Sequence, residues 1–242
     1  MKTLFFITGS SKGIGKGLAE RALQDKASKV IGLSRTHTIE HDHYKGINID
    51  LSEISQLEKN AYDLLSAEGE FERIVLINNA GTLGDVKHMG NIDPSAITHL
   101  FNLNVTAPII LMNAFMKVFK DFKGEKIIIN VSSGAGKSAV DGWSGYCASK
   151  AALDMATEVT AKENKMDNGG FRIHAIAPGV VDTEMQTQIR STDKSDFSGV
   201  ERFRSLKEDQ QLSSESEVAE KYFSILNNPD KYTEAILDVR NV

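Results

Sequence analysis

Tyr146 and Lys150 stand four residues apart in Tyr-Cys-Ala-Ser-Lys. On a helix that spacing sets both side chains on one face, about 6 Å apart along the axis. An ordinary phenol has a pKa near 10 and gives up its proton reluctantly at neutral pH. A neighbouring ammonium favours the phenolate, which predicts a lowered Tyr146 pKa and a usable proton donor to a developing alkoxide. Upstream, the apolar run Lys126–Val131 ends in Ser132-Ser133-Gly134. Strand ends of this kind are where open α/β sheets put their chemistry.

A second candidate site lies near the start of the chain, in Thr8-Gly9-Ser10-Ser11-Lys12-Gly13-Ile14-Gly15. A strand that turns sharply into a helix needs glycines for the turn. It then offers free N–H groups and a positive dipole end to a pyrophosphate. The second predicted strand closes on Ser34-Arg35-Thr36, where a NAD-binding fold usually offers a carboxylate to the ribose 2′-OH. A guanidinium there attracts a 2′-phosphate and stacks on adenine. Lys12 adds a second positive charge, so the expected cofactor is NADP(H).

These motifs resemble the short-chain dehydrogenase/reductase family, whose members bind NAD(P) on a seven-stranded doubly wound sheet. The glycine spacing is Thr-Gly-x(3)-Gly-x-Gly, and Ser133, Tyr146 and Lys150 match the family's Ser-x(12)-Tyr-x(3)-Lys signature. The resemblance implies that the Ser133 hydroxyl bonds the substrate carbonyl and stabilises its oxyanion. It gives Lys150 the nicotinamide ribose hydroxyls, and Asn104, in Leu-Asn-Val, a water linked to Lys150. Cofactor contacts are implied for Gly9, Ser11, Lys12, Gly13, Ile14, Gly15, Ser34 and Arg35, and for Asp50 and Leu51 at the adenine edge. Asn79, Ala80 and Gly81, in Asn78-Asn79-Ala80-Gly81, match the motif that braces the sheet and lines the adenosine side. Pro178, Gly179, Val181 and Thr183 match the segment beside the nicotinamide carboxamide. The implied reaction is hydride transfer from NADPH to a carbonyl carbon, with Tyr146 protonating the oxygen.

Trp143, Leu83 and Met185, with Phe197 or Phe203, offer an apolar wall for an aromatic or bulky ketone. The stretches Gly142–Cys147 and Asp182–Gln186 resemble the branch of sepiapterin and benzil reductases, which suggests α-dicarbonyl substrates. In sepiapterin reductases a carboxylate near the C-terminus anchors the pterin, and Asp238 is the matching position. Two alternatives are a 3-oxoacyl carrier-protein reductase and a non-catalytic NADP-sensing module. Such a module is expected to lose the Tyr–Lys pair, which this chain keeps.

Positioning these groups requires an alternating α/β chain. Strands are predicted at Thr3–Thr8, Lys29–Leu33, Gly46–Ile49, Arg73–Ile77, Lys126–Val131, Arg172–Ile176 and Ala235–Asp238. Helices are predicted at Lys12–Gln24, Ser52 to about Ala67, Asn104–Phe122, Gly145–Asn164 and Ser216–Leu226. Near-continuous Ile and Val in the strands marks burial on both faces of a parallel sheet. The expectation is a single Rossmann-type domain over residues 1–242, doubly wound, with a polar substrate loop at about 179–214.

Composition narrows the setting. With 28 Lys plus Arg against 33 Asp plus Glu the formal charge is −5, which gives no attraction to nucleic acid. No uninterrupted apolar stretch approaches the roughly 18 residues of a membrane span, and Leu4–Ile7 is too short for a secretory core. Cys147 is the single cysteine, so an intrachain disulfide is excluded. The expected setting is the cytoplasm, and the expected assembly a homodimer or tetramer through the two long helices. No metal site is expected: His37, His41 and His43 fall in a loop with nothing to fix their geometry.

Overall fold

The computed structural model describes residues 1–242 except Ala67. Among the described residues seven strands form one sheet: β1 (Thr3–Thr8), β2 (Lys29–Ser34), β3 (Tyr44–Asn48), β4 (Arg73–Asn78), β5 (Glu125–Val131), β6 (Phe171–Ala177) and β7 (Ile236–Asp238). Their order is β3-β2-β1-β4-β5-β6-β7 and every pairing is parallel. The order reverses between β1 and β4, which opens a crevice at their carboxyl ends.

Alternate side chains of each central strand face opposite layers. Phe5, Ile7, Val75, Ile77, Ile127 and Ile129 bury against helices α1 (Gly13–Leu23) and α8 (Glu215–Asn227). Leu4, Phe6, Ile74, Leu76 and Ile128 bury against α2 (Ile54–Leu64) and α4 (Ala107–Val118). The expected extension of the α2 helix to Ala67 ends on a residue outside the described ones.

Two parts of the chain depart from the sequence reading. The helix expected from Asn104 begins earlier, as α3 (Pro94–Phe101), which is capped by Asp93 accepting from Ser95 N at 2.7 Å and has Pro94 in its first turn. It passes through a wide π turn at Asn102–Thr106 into α4. The continuous helical run Pro94–Val118 is long and apolar enough to cross a membrane by length and composition; here Leu111, Met112 and Phe115 are buried against the sheet. The polar stretch 179–214 is not irregular either. It carries α6 (Glu184–Ser191) and α7 (Val200–Glu208). Their apolar residues Ile189, Val200 and Phe203, with Phe197 between them, pack into a third apolar cluster together with Leu83, Leu100 and Trp143.

Candidate active site

The end of β5 and the long helix α5 (Ser144–Met166) hold the proposed reacting groups. Past Val131 the chain enters a short 3₁₀ turn, Gly134–Gly136, with Ser133 as its cap: Ser133 Oγ accepts from Ala135 N at 3.2 Å. Tyr146 lies in the first turn of α5 and Lys150 one turn on, both buried. Lys150 Nζ sits 5.8 Å from the Tyr146 ring centre and donates to the Val131 carbonyl at 2.8 Å.

The π turn brings Asn104 to the same place, 1% exposed. Its Oδ1 accepts from Thr82 N at 2.9 Å, and its Nδ2 donates to Thr82 O at 2.8 Å and Ser149 Oγ at 3.1 Å. Asn is a poor helix former, and π turns recur at functional sites. A Cβ on Gly81 would stand 3.2 Å from Asn104 Oδ1 and 3.8 Å from Lys150 Nζ, so Gly81 faces the gap between them.

Electrostatics here run against the sequence expectation. Burial pushes the Tyr146 phenol up to about 12, and a hydrogen bond with Ser133 opposes this only in part. Burial also lowers Lys150 to about 8, while the Asp154 carboxylate draws it back up. Spacing alone suggested that the ammonium would acidify the phenol. Instead Nζ is committed to a backbone carbonyl, and desolvation governs both groups. The phenol is held protonated, as a donor.

Further along α5 the buried face stays polar. Asp154 accepts a short hydrogen bond from the Ser132 hydroxyl, and Thr157 accepts from Asn130 Nδ2 at 2.8 Å. Asn130 in turn accepts from Asn78 Nδ2 at 2.8 Å. Asp154 escaped the sequence reading although its spacing continues the Tyr146–Lys150 step.

The glycine turn lies across the crevice. Gly9 and Gly13 adopt φ of 66° and 61°, the left-handed region open to glycine. Thr8 Oγ1 accepts from Asn79 N and Ala80 N, each at 2.9 Å, and Asn79 Nδ2 donates to Thr8 O at 3.0 Å. The end of β4 thus braces the turn. The start of α1 has no side-chain cap, with Lys12 at the cap position, an arrangement that leaves its first N–H groups open to an anion. Behind it Ser10 Oγ meets Ser34 Oγ at 3.3 Å and Tyr44 OH at 2.9 Å, and Tyr44 OH meets His37 Nδ1 at 2.9 Å. The Ser11 carbonyl accepts from Thr38 Oγ1 at 2.8 Å. Ile14 and Leu51 pack inward.

Arg35 is 71% exposed and 3.9 Å from Asp50. Burial works against the Asp50 charge, but hydrogen bonds from Ser52 and the Arg35 guanidinium outweigh it and hold the carboxyl below its ordinary value. Lys12 is ion-paired with Glu184 at the start of α6. Thr183, at the α6 cap position, has its methyl 3.7 Å from where a Gly13 Cβ would point. The Pro178–Thr183 segment therefore returns to the glycine turn, with Val181 buried and Gly179 at φ 74°. An uncapped helix start and backbone glycines around one crevice fit a nicotinamide dinucleotide.

Beside Tyr146 stands an aromatic wall. Trp143 meets Tyr146 edge to face with ring centres 5.9 Å apart, and packs on Phe197 at 5.2 Å and Phe203 at 5.6 Å. Leu83 is buried in the same cluster and Met185 packs against it. Asp238 reaches the carboxyl edge of the sheet opposite Ala177, but its carboxylate is already taken. Arg240 donates from Nε to Oδ1 at 2.9 Å, from a terminal nitrogen to Oδ2 at 2.6 Å, and from its backbone N to Oδ1 at 2.9 Å. The three loop histidines have separate partners: His37 meets Tyr44, His41 accepts from His43 N, and His43 meets the Ser28 carbonyl.

Known proteins resemble this chain along most of its length. The family model described as short chain dehydrogenase matches residues 3–194. Benzil reductase ((S)-benzoin forming) of Bacillus subtilis is 39% identical over 226 residues, covering 92% of this chain and 93% of that protein. Sepiapterin reductase of Bos taurus is 32% identical over 211 residues, covering 79% and 77%. Among solved structures, a short chain dehydrogenase/reductase from Saccharomyces cerevisiae superposes with a TM-score of 0.84 at 28% identity, covering 99% of this chain and 96% of that one.

Proposed function

This chain belongs to the short chain dehydrogenase family, and from that premise we propose that it is an NADPH-dependent carbonyl reductase acting on bulky or aromatic α-dicarbonyls. The observation that carries the reading is Trp143, set edge to face against the Tyr146 ring and backed by Phe197 and Phe203. Trp143, Tyr146 and Phe197 are buried in one apolar cluster, so an aromatic substrate that reaches the phenol meets apolar groups at the edge of that cluster. The similarity to a benzil reductase along nearly the whole chain supports the same class.

When bound, a reduced nicotinamide would supply the hydride. Gly9, Ser11, Lys12, Gly13, Ile14 and Gly15 would receive its pyrophosphate, and Ser34, Arg35, Asp50 and Leu51 would hold the adenosine. Asn79, Ala80 and Gly81 would line the adenosine side, and Pro178, Gly179, Val181 and Thr183 would hold the carboxamide end. Tyr146 passes its proton to the carbonyl oxygen while Ser133 donates a hydrogen bond to the same atom. Lys150, beside Asn104, holds positive charge against the oxygen as it becomes anionic. Residues 179–214, with Leu83, Trp143 and Met185, select the substrate. Asp238 is left to its Arg240 pair, and a pterin-anchoring role would require that pair to open.

Met155, Val159 and Met166 on α5 and Ile109 and Val118 on α4 are exposed apolar side chains, which a second copy of the chain would cover. Mean hydropathy of −0.25 and a single cysteine suit a cytoplasmic enzyme.

The direct test is NADPH oxidation with benzil as substrate. Consumption with formation of benzoin is expected, and a carrier-bound 3-oxoacyl substrate turned over far faster would transfer the reading to fatty-acyl reduction. Cofactor choice is tested separately by Arg35→Ala. Loss of the guanidinium should weaken NADPH binding by about 1–3 kcal/mol and leave NADH nearly untouched. Equal losses in fluorescence titrations with both nucleotides would remove the 2′-phosphate assignment.

A further inference from the structure

One buried charge has no part in the reaction just described. Asp154 is 8% exposed, one helical turn beyond Lys150 on the same face of α5. One carboxylate oxygen takes the Ser132 hydroxyl, and the other is buried without a partner. Ser132 stands between Val131, whose carbonyl receives Lys150 Nζ at 2.8 Å, and Ser133. Ser132 N is itself bonded to Ile176 O at 2.9 Å, which fixes it to β6. The 3₁₀ turn closes over this corner. A Cβ on Gly136 would lie 3.1 Å from Asp154 Oδ2 and 3.0 Å from the Lys150 carbonyl carbon, so the turn presses closely on the helix there.

We propose that Asp154 is a positioning residue for the reacting centre: clamped by Ser132, its carboxylate is the counter-charge of the buried Lys150 ammonium and ties α5 to the strand end that carries Ser133. A buried ammonium without a counter-ion loses its proton readily, whereas a carboxylate a turn away offsets that loss. The charged groups around the pair are few. Lys150 faces Asp154 and the Tyr146 phenol on its own helix. Asp154 faces Lys150 and Glu158 on α5 and Lys137 from the segment after the 3₁₀ turn, with Ser132 on the strand side. Burial raises Asp154 above the ordinary carboxylate range, and the Ser132 hydroxyl, Lys137 and Lys150 act against that rise.

The inference rests on Lys150 acting as a charged group beside Tyr146, and two measurements separate it from that reading. In reductase assays with NADPH and benzil, activity that needs charged Lys150 declines as pH rises through about 8, where the ammonium is lost. Asp154→Asn keeps an acceptor for Ser132 but removes the charge, and should bring that decline down by about one pH unit. Ser132→Ala, which frees the carboxylate from its clamp, should move it the same way by less. The second measurement needs no turnover: the ¹³Cε resonance of Lys150 in lysine-labelled protein without cofactor, identified by its absence in Lys150→Arg, should titrate lower in both variants. Either variant, folded, with decline and resonance at the wild-type pH would overturn the proposal. Wild-type protein that leaves benzil unreduced would count against the reductase reading alone, and the resonance would still decide the role of Asp154.

Discussion

Tyr146→Phe should retain the fold and NADPH binding while reductase turnover falls by about 10²- to 10⁴-fold, the usual contribution of a placed proton donor. The ring keeps its edge contact with Trp143, so the wall survives and only the hydroxyl is removed. With the phenol pushed up to about 12 by burial, Tyr146 keeps its proton at neutral pH and is the proposed donor, while Lys150, anchored on the Val131 carbonyl, supplies charge. Steady-state kinetics beside a nucleotide titration read the two quantities separately. Undiminished kcat would take the acid role from Tyr146 altogether.

Gly15→Ala should be the most damaging single change at the cofactor crevice. An added Cβ would run into the Gly9 carbonyl and Asn79 Nδ2. Neither can yield cheaply, because Gly9 forms the turn and Asn79 holds that same turn through Thr8 O at 3.0 Å and Gly9 O at 3.2 Å. Crowding of this kind costs about 1–3 kcal/mol. In a chain of this length each kcal/mol lowers Tm by about 2–4 °C. The displaced turn should also lose its affinity for the pyrophosphate, so nucleotide binding falls more than ten-fold. A variant with wild-type melting and wild-type NADPH affinity would show that the turn is not braced as described.

Much of this was legible in the residue string. Central strands buried on both faces read as unbroken Ile and Val, and β1 appears at its predicted limits, Thr3–Thr8. The edge strand β3 is half exposed and has no such run, so it lies at Tyr44–Asn48 and not at the expected Gly46–Ile49. Helix α3 was missed although Asp93-Pro94 is a capping signal; the apolar run after it drew the boundary too late. The stretch 179–214 reads as a loop because its surface-facing residues dilute a helical spacing that only the third cluster makes visible.

The site divides in the same way. Residues tied to backbone geometry, such as Gly9, Gly13 and Asn79, announce themselves by type and spacing. The direction of the Tyr146 shift did not, because it depends on which acceptor Lys150 reaches and how little water remains. Asp238 shows the same limit: a carboxylate ending a strand reads alike whether it faces a ligand or, as here, the guanidinium two residues on.

Helix α5 meets the sheet and its neighbours through Ser149 with Asn104, Lys150 with Val131, Asp154 with Ser132 and Thr157 with Asn130. Greasy surfaces can slide past one another at little cost, but a ladder of directional bonds has a single register. The helix is indexed like a key on four wards. A slip by even one residue would break every rung together, so the place of Tyr146 on its long helix is set by bonds that lie further along it.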